Sequence, residues 1–560
     1  MISISGNIWE EIKFNLRQSK KISQDYKLNS ILSSIITEKK FDKEEIFSLN
    51  NKIDLINPFL KDVDFINSKN LLIEFIKYKK KIFIIGDYDV DGSVATGLLI
   101  KFFKKIKHPY DFYIPDRTED GYGISEKLFK KLENRLTELI VIVDSGSKSK
   151  KAIDYLNKIN VKSIIIDHHE VIKPYPKSNV FINPKKNKNT NHSNLCASAL
   201  VYFLTDILKK YFKIKDYNKS DLFLTALATV CDVMPLRGLN RNILLKSFYE
   251  YNFNDIYFVN YFLKQLKINN KFEFEDFGYL IGPILNSGGR LNKSNLATQL
   301  IISENKEEIE KISKILINQN KKRKEIEKKI INEIDRNKDL IKIDNEFILI
   351  KNTTINEGLI GIIAARFMEI YNKTIIVITQ SKDLLKGSAR STENINIGSI
   401  INTAVLKNIL LNGGGHKMAA GFSMNKKNFN TFIKFLSELR TKNQILKKKY
   451  ISKISTSSIN IEFIKNLERL APFGNSNKRP IFLIENLKII KPKIIRDAHI
   501  SCFLKDQKNK YFNSIVFNAS KTVLGKYILN YKKKINVLCE FKLYGSNNDK
   551  ININIIDIIV

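Results

Sequence analysis

Three short apolar runs, each ending in acids or histidines, limit what this chain can fold into more than any other feature. Lys81 to Gly86 runs into Asp87-Tyr-Asp-Val-Asp-Gly92, Glu138 to Val143 into Asp144-Ser-Gly146, and Lys162 to Ile166 into Asp167-His-His169. Helix-like stretches lie between them, from Ser93 to Lys105 and from Ser147 to Asn160. Alternating strand and helix patterns predict a parallel sheet covered by helices. In such an open sheet the carboxyl ends of the strands line one crevice, where ligands bind. Topology alone then brings residues distant in sequence to one edge. Asp221 to Val233 and Arg237 to Tyr251 read as two further helices, and Asp232, just before Pro235, is placed to close the same crevice.

Crowded carboxylates repel one another and stay ionised only beside cations. Oxygen ligands with one or two imidazoles suit Mn²⁺ or Mg²⁺. The number of candidate ligands predicts two ions rather than one. Two such ions roughly 4 Å apart activate a water and stabilise in-line displacement at phosphorus. The expectation is a two-metal phosphodiesterase assembled from Asp87, Asp89, Asp91, Asp144, Asp167, His168, His169 and Asp232. Gly92 permits a tight turn after the third carboxylate, and the helix that follows would aim its N-terminus at an anion. Taken singly, an Asp-rich loop is equally a calcium loop or a turn, and a His-His pair is usually structural. Three such features at successive strand ends carry the metal reading together.

The 560 residues are too many for one core; at about 150 residues per domain, three or four are expected. Lys306 to Arg336 is densely charged, with Ile309, Ile312, Ile315, Leu316, Ile326 and Ile330 at helical spacing. It reads as one long amphipathic spacer helix, the alternative being a surface helix of the first domain. A second mixed unit follows from Asn345, with strands at Glu346–Ile350 and Thr374–Ile378, a helix at Ile360–Ile370 and a glycine-rich loop at Gly413–Gly421. From Lys447 onward β-branched segments (Ile451–Ile459, Leu487–Ile490, Ile551–Val560) predict a small barrel or sandwich.

Lys plus Arg number 94 against 58 acids, a net charge of +36. That surplus favours a polyanionic partner. The abundance of Lys, Asn and Ile fits genome-wide compositional drift equally well, so charge does not decide. No apolar run reaches membrane-spanning length and Met1 to Gln18 does not read as a signal peptide, so a cytoplasmic protein is expected. Cys196, Cys231, Cys502 and Cys539 form no C-x-x-C pair and are read as reduced thiols. His108, His192 and His499 are read as structural or surface residues.

The stretches Asp87–Gly92, Val143–Gly146, Asp167–His169 and Ala228–Asp232 resemble, in order, the four motifs of the DHH phosphoesterase superfamily. Further segments resemble its RecJ family of exonucleases. They are Tyr113–Arg117 with Gly121-Tyr-Gly123, Leu195-Cys196, Gly282-Pro283 through Asn286 to Arg290-Leu291, Gly358–Arg366, Gly387–Ser391, Gly414–Gly421 and Pro472-Phe-Gly474. The resemblance implies an α/β architecture. An N-terminal extension (1–70) precedes a parallel-sheet DHH domain (71–300), a long connecting helix (301–340), a smaller α/β DHH-associated domain (341–445) and a C-terminal OB-fold β-barrel (446–560). It implies 5′-to-3′ degradation of single-stranded DNA to mononucleotides, in recombination and repair, by a monomer that uses two Mn²⁺ or Mg²⁺ ions. A helicase or a single-strand-binding protein is an implied partner.

By position, Asp87, Asp89, Asp91, Asp144, His168 and Asp232 would hold the metals, with Asp144 as a bridge and Asp167 supporting them from behind. His169 would contact the phosphate and Arg290 would clamp it. Arg117, Ser388 and Arg390 resemble a pocket for the terminal 5′-phosphate, with His416 in the same cleft. The chain departs from the family in two places. Ile355-Asn356 stands where Trp-His is usual, and Ile284 where Arg is common, so a weaker substrate grip is expected. All four metal motifs survive. Two competing readings are a DHH phosphodiesterase for short oligoribonucleotides or cyclic dinucleotides, and an inactive single-strand-binding protein; an inorganic pyrophosphatase is a more distant one. The first relatives are shorter and typically lack an OB-fold, and the second reading calls for degenerate metal motifs.

Overall fold

The computed structural model describes all residues except 117, 118, 122, 187–191, 215–218, 251–255, 269–271, 291, 292, 338, 339, 343–345, 393, 440–446, 531, 532 and 546–548. It forms two compact units: Lys39–Lys322 with Arg469–Lys478, and Met1–Glu38 with Arg323–Glu468 and Arg479–Val560.

In the first unit the apolar runs become strands. The sheet order is Tyr110–Tyr113, Ile82–Ile85, Leu139–Val143, Lys162–Ile166, Val180–Ile182, and every pair is parallel. The order in which strands are added reverses at the boundary between Ile82–Ile85 and Leu139–Val143, which makes it the switch point, the place where such sheets bind ligands. Each strand is covered on both faces. Ile82, Ile84, Val141 and Ile164 pack with Leu98, Leu99, Phe103 and Leu200. Phe83, Ile85, Ile140 and Ile165 pack with Phe129, Ile153 and Leu156. This two-sided burial is why the sequence shows continuous Ile/Val runs instead of alternation. The helix expected from Ser93 starts earlier, at Val90–Lys105, because the Asp89 carboxylate caps it by accepting from the Gly92 amide at 3.0 Å. Asp91 therefore lies in the first helical turn.

The second unit contains a six-stranded mixed sheet, ordered Asn412–His416, Ala419–Asn425, Leu384–Arg390, Thr374–Ser381, Phe347–Lys351, Leu340–Lys342. The long helix is present as Lys306–Asn337. Its Ile334 packs among Ile348, Ile363 and Phe367 of this unit. The glycine-rich segment differs from expectation. Asn412–His416 is a strand, paired antiparallel so that Gly414 faces Gly421. Its composition gives no strand signal; the ladder to Ala419–Asn425 supplies the order.

Five C-terminal strands close a barrel: Phe482–Ile495, His499–Lys505, Tyr511–Val516, Lys550–Ile559, Ile535–Tyr544. Ile451–Ile459 adds no strand to it. The preceding Lys447–Tyr450 pairs in parallel with Ile8–Glu11 instead.

Residues 1–70 read as one extension of the DHH domain, and Met1–Glu38 group with the second unit. The cause is Asp557, a carboxylate only 1% exposed. It accepts from Ser3 Oγ at 2.7 Å, Asn7 Nδ2 at 2.9 Å and Trp9 Nε1 at 3.1 Å. A buried acid needs such donors, and the N-terminal segment supplies them.

Candidate metal centre

All of the acids and histidines singled out at the strand ends come together within the first unit. Candidate ligand atoms of Asp87, Asp89 and Asp144 lie within 4.8 Å of one another, as do those of Asp91, His168 and Asp232, and those of Asp144, His168 and His169. Asp144 belongs to two of these groups and His168 to two, so the three groups form one cluster. His168 Nε2 stands 3.3 Å from Asp144 Oδ1, 3.3 Å from Asp232 Oδ2 and 3.7 Å from Asp91 Oδ2.

Local structure explains how each side chain is held. Gly92 allows the loop to fold back, because a Cβ there would lie 2.6 Å from the Asp87 carbonyl oxygen. Asp87 Oδ1 accepts from the Tyr88 amide at 2.8 Å. Asp91 accepts from the Ala197 and Ser198 amides at 2.7 and 2.8 Å, the first turn of the helix Ala197–Tyr211. Asp144 follows its strand with φ +58°, a left-handed conformation that few non-glycine residues adopt. Asp167 does not face the cluster as a ligand. It accepts the His168 amide at 2.7 Å, the Ser147 amide at 2.9 Å and His169 Nδ1 at 2.8 Å. It therefore fixes both histidines from behind, in the manner of outer partners of metal ligands.

The electrostatics fit a cation. Burial raises the Asp144 carboxyl well above the usual carboxylate range, and Asp91, Asp89, Asp87 and Asp232 push it the same way. Burial followed by Asp91 and Asp89 does the same to Asp232, and burial followed by Asp91 raises Asp89. Burial pushes the His168 imidazole down to about 4, which leaves it neutral with a lone pair to offer. Burial opposes the charge on His169, but the bond to Asp167 raises it to about 9. Asp144 Oδ1, His168 Nε2 and Asp232 Oδ2 are buried and make no hydrogen bond. Buried polar atoms are rarely left so. Three of them facing one another, two carboxylate oxygens and an imidazole nitrogen, are a donor set that fits divalent cations.

Other expected residues are placed as follows. Arg290 ends the short helix Ser287–Arg290. Asn286, just before it, accepts from the Val90 amide at 3.1 Å and so joins this segment to the acidic loop. Ile284 is 1% exposed and belongs to the core. Arg117 lies outside the described residues. In the second unit Ser388 and Arg390 share one face of their strand, and Arg390 Nη1 donates to the Ala389 carbonyl at 2.9 Å. A Cβ on Gly361 would come within 3.2 Å of Ser388 Oγ and 3.3 Å of Arg390 Nη2. The start of the helix Ile360–Tyr371 thus lies against both. His416 ends the strand opposite Ala419 and is exposed. Asn356 spends its carbonyl oxygen on the Gly358 amide at 2.8 Å.

Sequence reasoning missed the supporting cast. Asn183 Nδ2 donates to the His169 carbonyl at 3.0 Å and to Ser147 Oγ at 2.8 Å. The Ala197 and Ser198 amides act through the backbone, which no side-chain pattern reveals. Cys196, Cys502 and Cys539 are buried, Cys231 is half-buried, and none forms a disulfide.

Residues 81–229 match the DHH family, N-terminal domain; 344–442 match the DHHA1 domain; 452–557 match the RecJ OB domain. The chain is 25% identical to the single-stranded-DNA-specific exonuclease RecJ of Bacillus subtilis, over 97% of this chain and 69% of that protein. It is 25% identical to RecJ of Haemophilus influenzae, over 83% of this chain and 87% of that one. Its fold resembles the crystal structure of RecJ in complex with Mn²⁺ from Thermus thermophilus, with a TM-score of 0.82 at 18% identity, covering 99% of this chain and 79% of that one. With the three matched domains in family order and the acid–histidine cluster at the sheet's switch point, the chain belongs to the DHH phosphoesterase superfamily, in its RecJ branch.

Proposed function

We propose that this chain is a single-stranded-DNA-specific exonuclease that releases mononucleotides in the 5′-to-3′ direction, in DNA recombination and repair, using Mn²⁺ or Mg²⁺. The observation that carries the chemistry is the buried trio Asp144 Oδ1, His168 Nε2 and Asp232 Oδ2, which has no hydrogen bonds of its own. Two divalent cations held by Asp87, Asp89, Asp91, Asp144, His168 and Asp232 would lower the pKa of a water and offset charge on the phosphoryl oxygens. The remaining roles belong to the chain itself. Asp167 holds His169 at Nδ1, which leaves its other nitrogen for a phosphate. Arg290 supplies a planar fork for phosphate oxygens. Within the second unit, Ser388 and Arg390, with His416, would grip the terminal 5′-phosphate.

A single-stranded polymer is the substrate that the C-terminal barrel suits. Phe503 and Tyr511 stand 40% and 54% exposed on adjacent strands, and Lys505 Nζ lies 5.4 Å from the Tyr511 ring. Exposed aromatics with neighbouring cations stack bases and hold backbone phosphates. The strand would come from a helicase or be presented by a single-strand-binding protein. The chain would act as a monomer in the cytoplasm; no described helix is long and apolar enough to cross a membrane. The test is digestion of a long single strand labelled at its 5′ end, with Mn²⁺ present. Labelled mononucleotide should appear first, and blunt duplex should resist. Equal rates on duplex, or faster cleavage of an isolated dinucleotide than of the long strand, would overturn the assignment.

A further inference from the structure

The segment Arg469–Lys478 packs with the first unit although it follows the whole DHHA1 domain in sequence. It contains Pro472-Phe-Gly474, a motif to which the proposed chemistry gives no role. We infer that this segment is a strap that positions Asp232, and that Asn475 is its positioning residue. The inference rests on the metal reading above.

Asp232 closes the helix Lys219–Cys231. Beyond it the Val233 amide bonds to the Val230 carbonyl at 3.0 Å and the Met234 amide to the Thr229 carbonyl at 3.1 Å. This is the Schellman arrangement, in which the residue after the cap takes a left-handed conformation and is usually glycine. Here it is Val233, at φ +54°. A β-branched side chain in that region is strained, so something outside the helix must hold the turn. The strap does so from both sides. Asn475 Nδ2 donates to the Val233 carbonyl at 2.7 Å from 242 residues further along the chain. The Leu236 amide donates to the Asn475 carbonyl at 2.8 Å.

The strap is itself anchored by buried groups. Arg241, fully buried, donates to the carbonyls of Leu470 (3.0 Å), Ala471 and Arg469 (3.3 Å). Asn477, also fully buried, donates to the Leu470 and Pro472 carbonyls at 2.9 and 2.8 Å and accepts from Lys39 Nζ at 2.9 Å. A rigid loop thus grips the strained turn, and the turn aims Asp232 Oδ2 at His168 Nε2.

Outer groups that orient metal ligands typically change metal affinity by about 10- to 100-fold when removed. The full-length chain and its Asn475→Ala variant are titrated with Mn²⁺, with free ion read by electron paramagnetic resonance, and the metal-free forms are melted by calorimetry. Loss of Asn475 should weaken Mn²⁺ binding about tenfold, while the metal-free variant melts within about 2 °C of the parent, since only exposed hydrogen bonds, to the Val233 carbonyl and from Ser476 Oγ, are lost. Adding Val233→Gly to Asn475→Ala should restore most of the affinity, because glycine takes the left-handed turn unaided. Unchanged affinity in Asn475→Ala overturns the strap's role. So does a loss that only follows the melting temperature, or one that Val233→Gly leaves uncorrected. A parent chain that binds no Mn²⁺ overturns the metal reading and the strap with it.

Discussion

The acid–histidine cluster of the first unit and the Ser388–Arg390 face of the second are built on opposite electrostatic plans. Among the acids, burial and mutual repulsion push Asp144, Asp232 and Asp89 upward, and three polar atoms are buried without a hydrogen bond. At the other face, Arg390 already donates to the Ala389 carbonyl and Ser388 lies beside it. Neither residue is fully buried. The first site crowds like charges that a divalent cation would offset. The second pairs its polar groups with one another. A site that must polarise water and phosphorus is pre-organised around charge at some expense of stability. One that only holds a phosphate need not be.

The largest test of that contrast is Asp144→Asn. It removes a candidate bridging ligand, so strand hydrolysis should fall by on the order of 10³-fold. It also removes one of the crowded charges, so the metal-free protein should become more stable, by about 2–4 °C for each kcal/mol relieved in a domain of this size. Saturating Mn²⁺ should stabilise the parent, by about 2.7 kcal/mol at a hundred times the dissociation constant, and stabilise the variant much less. Digestion of a labelled strand measures the first effect, and calorimetry with and without Mn²⁺ measures the other two. A variant less stable than the parent without metal would show that the acids are not frustrated, and the contrast with the second unit would fall.

Arg390→Ala should give the opposite pattern. A hydrogen bond to a charged group contributes about 1.5–3 kcal/mol, so KM for a 5′-phosphorylated strand should rise roughly ten- to a hundredfold. The turnover number, the Mn²⁺ affinity and the melting temperature should stay near those of the parent. Steady-state rates on 5′-phosphorylated and 5′-hydroxyl strands separate these quantities. Equal loss on both substrates would remove the terminal phosphate from the role given to Arg390.

The two regions also differ in how far they were legible in the sequence. The metal cluster could be read because parallel topology forces strand ends together, and Ile82–Ile85, Leu139–Val143 and Lys162–Ile166 announce themselves as apolar runs. What stayed hidden there acts through backbone: the Ala197 and Ser198 amides on Asp91, and the αL turn at Val233. In the second unit, Asn412–His416 has no strand signal of its own, and only its ladder to Ala419–Asn425 makes it one. The N-terminal residues read as an extension of the DHH domain, because an anchor of Met1–Glu38, the buried carboxylate of Asp557, lies more than 500 residues further along the chain. Long-range hydrogen bonds of this kind have no local pattern to read.

Gly361→Ala gives the smallest and most specific effect, and it separates stability from grip within one residue. Gly361 is the second residue of the helix Ile360–Tyr371. An alanine there gains helix propensity, worth up to about 1 kcal/mol over glycine, so the protein should melt slightly higher. Its new methyl group would meet Ser388 Oγ at 3.2 Å and Arg390 Nη2 at 3.3 Å. Those distances are tight without being forbidden, so the two side chains would shift by a few tenths of an ångström. Such a shift is enough to spoil two-pronged contact with a phosphate and too small to unfold anything. KM for the phosphorylated strand should therefore rise roughly threefold, or about 0.65 kcal/mol, while the turnover number and Mn²⁺ affinity do not change. Because the melting temperature and KM both rise, lost folding cannot explain weaker binding. If KM instead stays at the parent value while stability rises, the space beside Gly361 is not needed for substrate, and Ser388 and Arg390 hold the strand in some other way or not at all.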